Sequence, residues 1–316
     1  MMRDDENLKC SAPDLCTFNT FDANQQAASL FNWQQEYDQL SRGRFLGQIR
    51  ERKFSQVHLF QEDSNRKLKQ QCYVNEGIWL GLSANDKPLH INHAQGDSDS
   101  ILVREDGVDF ELLTPENFSI YGLVISPVLV ERIQRQLEVE SLTNKNQFLH
   151  CSQHYTQQIK AYLALLLSPS RTRWSFHTHQ GIIQDMLVEL FAQSSSQNFQ
   201  KANATQREVT MRRIRQYLDN SQYRNPITVT ELCDAVHVSR RTLQYTFESC
   251  CDISPKQFIQ SVRLNQIRRV LQDPSEQRCI NEIAFDFGFF HLGHFCQSYK
   301  QLFGESPMQT RPNRVS

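Results

Sequence analysis

The sequence predicts a multidomain α+β protein: a β-rich N-terminal part with flanking helices, followed by an all-helical C-terminal domain. Three observations carry this. Seven of the eleven glycines (Gly43, Gly47, Gly77, Gly81, Gly96, Gly107 and Gly122) precede residue 130 and separate short β-prone runs. After Pro127 the apolar period lengthens to that of helices, and from Gln206 onward every segment reads as helix. With 316 residues and roughly 100 to 200 residues per domain, two domains with ordinary cores are expected. The boundaries fall at 1–193, a polar linker at 194–205 (SSSQNFQKANAT), and 206–316.

In chain order, residues 1–24 are polar and include Asp4, Asp5, Glu6 and Lys9, which excludes the charge and apolar pattern of a signal peptide. Residues 24–40 are rich in Gln and Ala without Gly or Pro, and predict a helix. Strands are predicted at 56–62, 78–82, 101–104, 110–113 and 121–125, and so many short strands suggest a barrel or sandwich. Three apolar faces follow: Val130, Ile133 and Leu137, then Ile159, Leu163 and Leu166, then Ile183, Leu187 and Phe191. These helices can cover the β region or meet another subunit.

The composition, 39% hydrophobic and 22% charged, excludes a disordered chain. No apolar run approaches the ~20 residues of a membrane span, and a cytoplasmic location is expected. Nine cysteines without a CxxC pair indicate reduced thiols, with Cys233 and Cys296 read as small hydrophobes on helices. The net charge of -1 conceals an asymmetry. Residues 206–316 hold 15 Lys and Arg against 11 Asp and Glu, net +4, whereas residues 1–205 are net -5. A basic terminal module beside an acidic partner is a footprint of nucleic-acid binding.

The helical domain contains two similar units at about 230–248 and 280–303. Ahead of them, Thr205 can cap a helix with Val209, Ile214, Tyr217 and Leu218 inward, ending before Asn225 and Pro226. In the first unit Thr230 is the expected N-cap of a helix burying Leu232, Ala235 and Val236, and Val238 closes a turn. Ser239 then caps a second helix with Leu243 and Phe247 inward, leaving Arg240, Arg241, Thr242, Gln244 and Tyr245 outside. Such a helix suits a major groove, because Arg pairs bidentately with guanine, Gln with adenine, and a helix N-terminus favours phosphate.

The second unit repeats the plan, with Ile280, Ile283 and Ala284 inward, Gly288 at the helix end and Phe289 in the turn. His291 opens the next helix, with Phe295, Tyr299 and Leu302 inward and Leu292, Gly293, His294, Cys296, Gln297 and Lys300 outward. Between the units, Ser254 and Pro255 start a joining helix through Phe258, Val262, Ile267, Val270 and Leu271. Two readers held about 34 Å apart would occupy adjacent major grooves of one duplex.

The C-terminal domain resembles the DNA-binding domain of the AraC/XylS family of bacterial transcription regulators. The resemblance rests on AFDFGF at 284–289, on RLNQIRRVL at 263–271, and on Phe295, Tyr299, Phe303, Gly304 and Pro307. It implies base reading by Arg241, Gln244 and Tyr245 in the first unit and by Leu292, Gly293 and Gln297 in the second. It also implies operator DNA and RNA polymerase as partners, a homodimer, and activation of transcription. Tyr245 and Gln297 stand where the family often has Arg, Ile267 where Ala is usual, and His291 where Ser is the common cap. Those departures point to a second unit that relies more on phosphate or shape. The runs FFHLGHF, YKQLFGESP, NWQQEYDQL, GRFLGQ and LKQQC are similar to the ethanolamine-utilisation operon regulator subgroup. That similarity implies a cupin-like N-terminal domain sensing a small molecule, ethanolamine with adenosylcobalamin, although no effector residue is matched.

Two rival readings differ in class. A metal-dependent cupin enzyme needs clustered His and a carboxylate. The pairs His90/His93, His150/His154 and His177/His179 fit poorly, and only His150/His154 has a spacing that could chelate from one helical face. No nucleophile elbow, P-loop or GxGxxG is present, so neither catalysis nor a metal is expected. The other rival is a constitutive DNA-binding protein whose β domain only dimerises. Trp33, Trp79, Phe110 and Tyr121 could enclose a ligand or simply fill a core.

Overall fold

The structure, a computed structural model, describes residues 15–30, 33–92, 94–97, 99–143, 147–149, 151–169, 175–196, 206–220 and 227–312. The chain begins with β1 (Cys16–Thr20), α1 (Ala23–Ala27), β2 (Trp33–Gln39), β3 (Gly47–Lys53), β4 (Val57–Ser64) and β5 (Leu68–Val74). It continues with β6 (Ile78–Ser83), β7 (Leu89–Ile91), β8 (Ala94–Gly96), β9 (Ile101–Glu105), β10 (Phe110–Thr114) and β11 (Phe118–Ile125). Then come α2 (Pro127–Leu137), β12 (Phe148–Leu149), α3 (Gln153–Leu166) and α4 (Phe176–Ser196). The helical domain comprises α5 (Gln206–Asn220), α6 (Val229–Val236), α7 (Arg240–Cys251), α8 (Pro255–Gln272), α9 (Ile280–Asp286), α10 (Leu292–Phe303) and α11 (Pro307–Thr310).

The strands form two antiparallel sheets, ordered β1-β3-β4-β11-β6-β9-β12 and β2-β5-β10-β7-β8. Alternation along each strand decides what the faces hold. Ile49, Phe60, Trp79, Leu102 and Ile120 of the larger sheet meet Cys72, Val74, Ile91, Phe110 and Leu112 of the smaller in one interior cluster. The intervening residues, Leu59, Leu80, Leu82, Val103 and Leu123, face outward. There α2, α3 and α4 cover them with Leu129, Ile133, Ile159, Leu163, Ile183, Leu187 and Phe191. The three helices predicted after Pro127 therefore close the larger sheet.

On the far side, Leu40 and Leu113 of the β domain join Met211, Ile214, Leu232, Leu243, Phe247 and Phe258 in a shared core. The helical domain thus packs on the outer face of the smaller sheet. Helix α8 belongs to both of its units: Phe258, Ile259 and Val262 enter the first core, and Leu264, Ile267 and Leu271 the second.

The five predicted strands appear as β4, β6, β9, β10 and β11. The helix expected over 24–40 does not: α1 stops at Ala27, and Trp33–Gln39 is β2. Its pairing with β5, from Trp33 opposite Val74 to Gln39 opposite Leu68, and the burial of Tyr37 outweigh the weak helical preference of Gln. Residues 194–196 extend α4 instead of opening a linker, and the rest of that stretch, Thr205 included, lies outside the described residues. So do Asn225 and Pro226. His177 and His179 sit within α4 and not before it.

Candidate nucleic-acid interface

In the first unit the N-cap is Thr228, two residues before the expected Thr230, because Thr228 and Glu231 form a reciprocal capping box. Leu232 and Val236 are buried, whereas Ala235 is exposed. His237 in the left-handed region ends α6. Ser239 then caps α7, its hydroxyl accepting from the Thr242 N–H at 3.1 Å. Leu243 and Phe247 are fully buried at 0% exposure, and this fixes which face looks out. Arg240, Arg241, Thr242 and Tyr245 lie on it, with Gln244 half-buried and donating to Glu248 at 2.6 Å. The Arg241 guanidinium rests 5.5 Å from the Tyr245 ring centroid and 3.4 Å from its hydroxyl. A cation held over an aromatic face is already ordered before it meets a base.

The second unit is built alike but capped less well. Cys279 and Glu282 close the start of α9, and Ile283 and Ala284 are buried. Gly288 has φ +77°, a left-handed turn that glycine adopts without strain. His291 occupies the N-cap of α10 without a side-chain hydrogen bond. Phe295, Tyr299 and Leu302 point inward. Gly293, His294, Gln297 and Lys300 are exposed, while Leu292 is half-buried against the unit's own core. A Cβ at Gly293 would meet nothing within 4 Å, so packing does not require glycine there.

What sequence reasoning missed is how the β domain holds both outward helices by their C-terminal ends. Lys67 donates to the Cys251 carbonyl at 3.0 Å and pairs with Asp252 at 3.0 Å, at the end of α7. At the end of α10, the Gln39 amide donates to the Leu302 carbonyl at 2.6 Å, and the Gly43 N–H reaches the same oxygen at 3.0 Å. These donors satisfy terminal carbonyls that a helix leaves unpaired. Gly304, with φ +73°, ends α10 so close to the β domain that a Cβ would lie 2.8 Å from Arg44 Cγ.

Basic residues of the helical domain turn toward the acidic β domain. Arg268 pairs with Asp22 at 2.6 Å, and also with Glu305 at 2.8 Å beneath the Phe303 ring. Arg269 reaches Asp38 at 2.9 Å and Glu36 at 3.0 Å. Arg215 donates to Gln71 and Asn92, and lies 3.8 Å from Glu111. Burial raises the Asp22 pKa, but the charge and hydrogen bond of Arg268 more than offset it and hold the carboxyl below its ordinary value. Part of the charge asymmetry is therefore an interdomain match. Between the domains lies a cleft of about 570 Å³ lined by Leu40, Arg42, Lys67, Asp252, Gln260 and Gln301.

The histidines do not assemble. His93 and His150 lie outside the described residues, His154 is exposed beside Gln158, and His179 is bonded to the Tyr162 hydroxyl at 2.8 Å. Among the described residues no group of three or more His, Cys, Asp or Glu could hold a metal ion. The described cysteines are free thiols, and Cys296 is exposed, contrary to the packing role expected of it. Among the described residues no helix is long and apolar enough to cross a membrane.

The fold and these exposed, capped helices define a protein of the helix-turn-helix DNA-binding class, and residues 232–313 match the family described as "Helix-turn-helix domain". The chain is similar to the XylDLEGF operon transcriptional activator of Pseudomonas putida, 33% identical over 169 residues, 50% of each chain. It is also 30% identical over 142 residues to XylDLEGF operon transcriptional activator 2 of the same organism, covering 45% of this chain and 87% of that one. The chain belongs to the AraC/XylS family of transcription regulators. It spans about half the length of the first curated relatives it matches. Among solved structures it is similar to the AraC-like transcriptional activator CuxR, with TM-score 0.42 and 16% identity over 79% of this chain and 94% of that one.

Proposed function

We propose that this chain is a sequence-specific transcription regulator, an activator, that reads operator DNA with α7 and α10 and responds to a small molecule through its β domain. The observation that carries it is the split of each reader helix into two faces. Leu243 and Phe247, like Phe295 and Tyr299, are fully buried, while Arg240, Arg241 and Tyr245, like His294, Gln297 and Lys300, are exposed on a helix anchored at its far end. In this reading Arg241, Gln244 and Tyr245 contact base edges in one major groove. Leu292, Gly293 and Gln297 approach the next, and Ser239, Arg240, Thr242, His291, His294 and Lys300 settle on phosphates. Residues 1–193 form the regulatory and dimerisation domain, 206–316 the DNA-binding domain, and the homodimer acts in the cytoplasm on RNA polymerase.

Genome-wide mapping of bound DNA, with Arg241→Ala as the comparison, tests the reading. Discrete sites lost in the variant support it; diffuse binding by both proteins refutes it. A titration of operator affinity with candidate effectors, ethanolamine with adenosylcobalamin among them, separates an effector-controlled regulator from a constitutive one.

A further inference from the structure

One end of the β-domain interior is unlike the rest of the core, because an aromatic cluster there is crossed by polar side chains with unused donors. Trp33 meets Phe60, Trp79 and Phe110 edge-on, with ring centroids at 5.9, 5.8 and 6.3 Å, and Trp79 stacks on Phe110 at 5.0 Å. Arg104 lies opposite Trp79 in the β6–β9 ladder, so both side chains leave on the interior face. Gln35 lies opposite Cys72, and Cys72 opposite Phe110, which brings Gln35 to the same end. Three N–H groups here are buried without an acceptor: Trp79 Nε1, Arg104 Nε and Gln35 Nε2. Trp79 itself is 2% exposed.

All three are donors, and none of them is an acceptor. Arg104 bonds through Nη2 to Gln147 Oε1 at 2.7 Å, and among the described residues it has no carboxylate partner. Burial, aided by the positive charge of Arg215, pulls its pKa down to about 10. A buried cation beside a second cation and unpaired donors is complementary to an anion. The acids of the same interior face are already engaged: Glu62 accepts from Gln26 and Tyr37, and Glu51 from His58. Burial raises the pKa of Glu62, which favours its neutral form.

We propose that this end of the β domain binds a small organic carboxylate, held by Arg104, Trp79 Nε1 and Gln35 Nε2, with its apolar body against Trp33 and Phe110. The inference rests on the reading of the β domain as a small-molecule sensor and names the chemical class sensed. It excludes amines as the ligand of this site, because an ammonium group would meet only donors and a like charge.

Tryptophan emission of the full chain, titrated with carboxylates from acetate to phenylacetate, tests it directly. Phenylacetamide and phenethylamine serve as neutral and cationic matches. Saturable changes are expected with a carboxylate, at least about tenfold tighter than with the matched amide, since a charge-assisted bond replaces a neutral one. Arg104→Gln should erase that preference, and Trp79→Phe, which keeps the ring but removes the N–H, should weaken it without shifting the melting temperature by more than a few degrees. Arg50→Gln, which alters an arginine paired with Asp63 instead, should leave it intact. Equal affinity for acid and amide, no saturable response to any carboxylate, or an unchanged preference in Arg104→Gln would overturn the inference. Operator affinity measured with the same compounds separates the two readings. A carboxylate that binds but leaves DNA affinity unchanged sinks the sensor and spares the site, whereas a response to the amine alone spares the sensor and sinks the carboxylate.

Discussion

The side-chain amide of Asn265 in α8 is bonded to both backbone groups of Gln39 in β2: Oδ1 accepts from the Gln39 N–H at 3.0 Å, and Nδ2 donates to the Gln39 carbonyl at 2.9 Å. Strand β2 is the edge of its sheet, and an edge presents unpaired backbone groups. Asn265 therefore acts as one more rung of the ladder, contributed by the other domain. The Gln39 side chain continues the link to the last carbonyls of α10, so one residue of the β domain touches the joining helix and the second reader helix.

Replacing Asn265 with Leu keeps the volume and removes both bonds at a site that is 1% exposed. Two buried backbone groups are then left without partners, and the expected loss is about 1 to 3 kcal/mol. Denaturant unfolding measures it. A variant as stable as the parent would mean that the domains are not joined here in solution.

Asp22 makes a second link whose strength depends on pH. One oxygen caps α1 by accepting from the Asn24 and Gln25 N–H groups, and the other holds Arg268. Its folded pKa lies below the ordinary value of 3.8, so the link contributes stability above that value and loses it as pH falls through the folded pKa. Asp22→Asn keeps a cap and removes the charge. At pH 7 it should cost about 1 to 3 kcal/mol, since Arg268 retains Glu305. Unfolding curves of both proteins should converge as the pH drops below about 4. A constant gap from pH 7 to 3 would show that the charge is not what matters.

Local signals in the sequence were strong wherever a helix carries its own caps. Ser239 with Leu243 and Phe247, and Ser254 with Pro255, define α7 and α8 from a few residues. Strands such as β4 and β11 were visible because their apolar runs are long enough to bury both faces. The residues of β2 were not, since alternating Gln and Glu on an edge strand look no different from a solvated helix until β5 is beside them. The same blindness hid the interface. Arg268, Arg269 and Lys67 count as surface charges in one dimension, and only the fold shows that they are opposite Asp22, Asp38 and Asp252.

The cap of α10 offers a gain in stability. His291 stands at the N-cap with extended backbone and no side-chain bond to the first turn, unlike Ser239 and Ser254 in α7 and α8. His291→Ser should satisfy one orphan N–H and stabilise the second unit by about 0.5 to 2 kcal/mol. Thermal melting of the two proteins tests this, and a lower melting temperature in the variant would assign His291 a packing role that the structure does not show.

The last prediction separates reading from folding within α7, where four residues bring the two roles side by side. Leu243 and Phe247 are fully buried, so Leu243→Ala should cost about 2 to 5 kcal/mol of stability and abolish binding to every duplex alike. Arg241 is exposed and touches only Tyr245, so Arg241→Ala should leave stability within about 0.5 kcal/mol of the parent. On the operator, however, it should cost about 1 to 3 kcal/mol and far less on random duplex. Tyr245→Phe keeps the ring beneath the guanidinium and should preserve most of that discrimination, whereas Tyr245→Ala frees Arg241 and should reduce it. Binding isotherms on both duplexes, taken beside melting curves, resolve the set. Equal loss on operator and random DNA in Arg241→Ala would move this residue from the bases to the phosphates, and leave the recognition of sequence to Gln244 and the second unit.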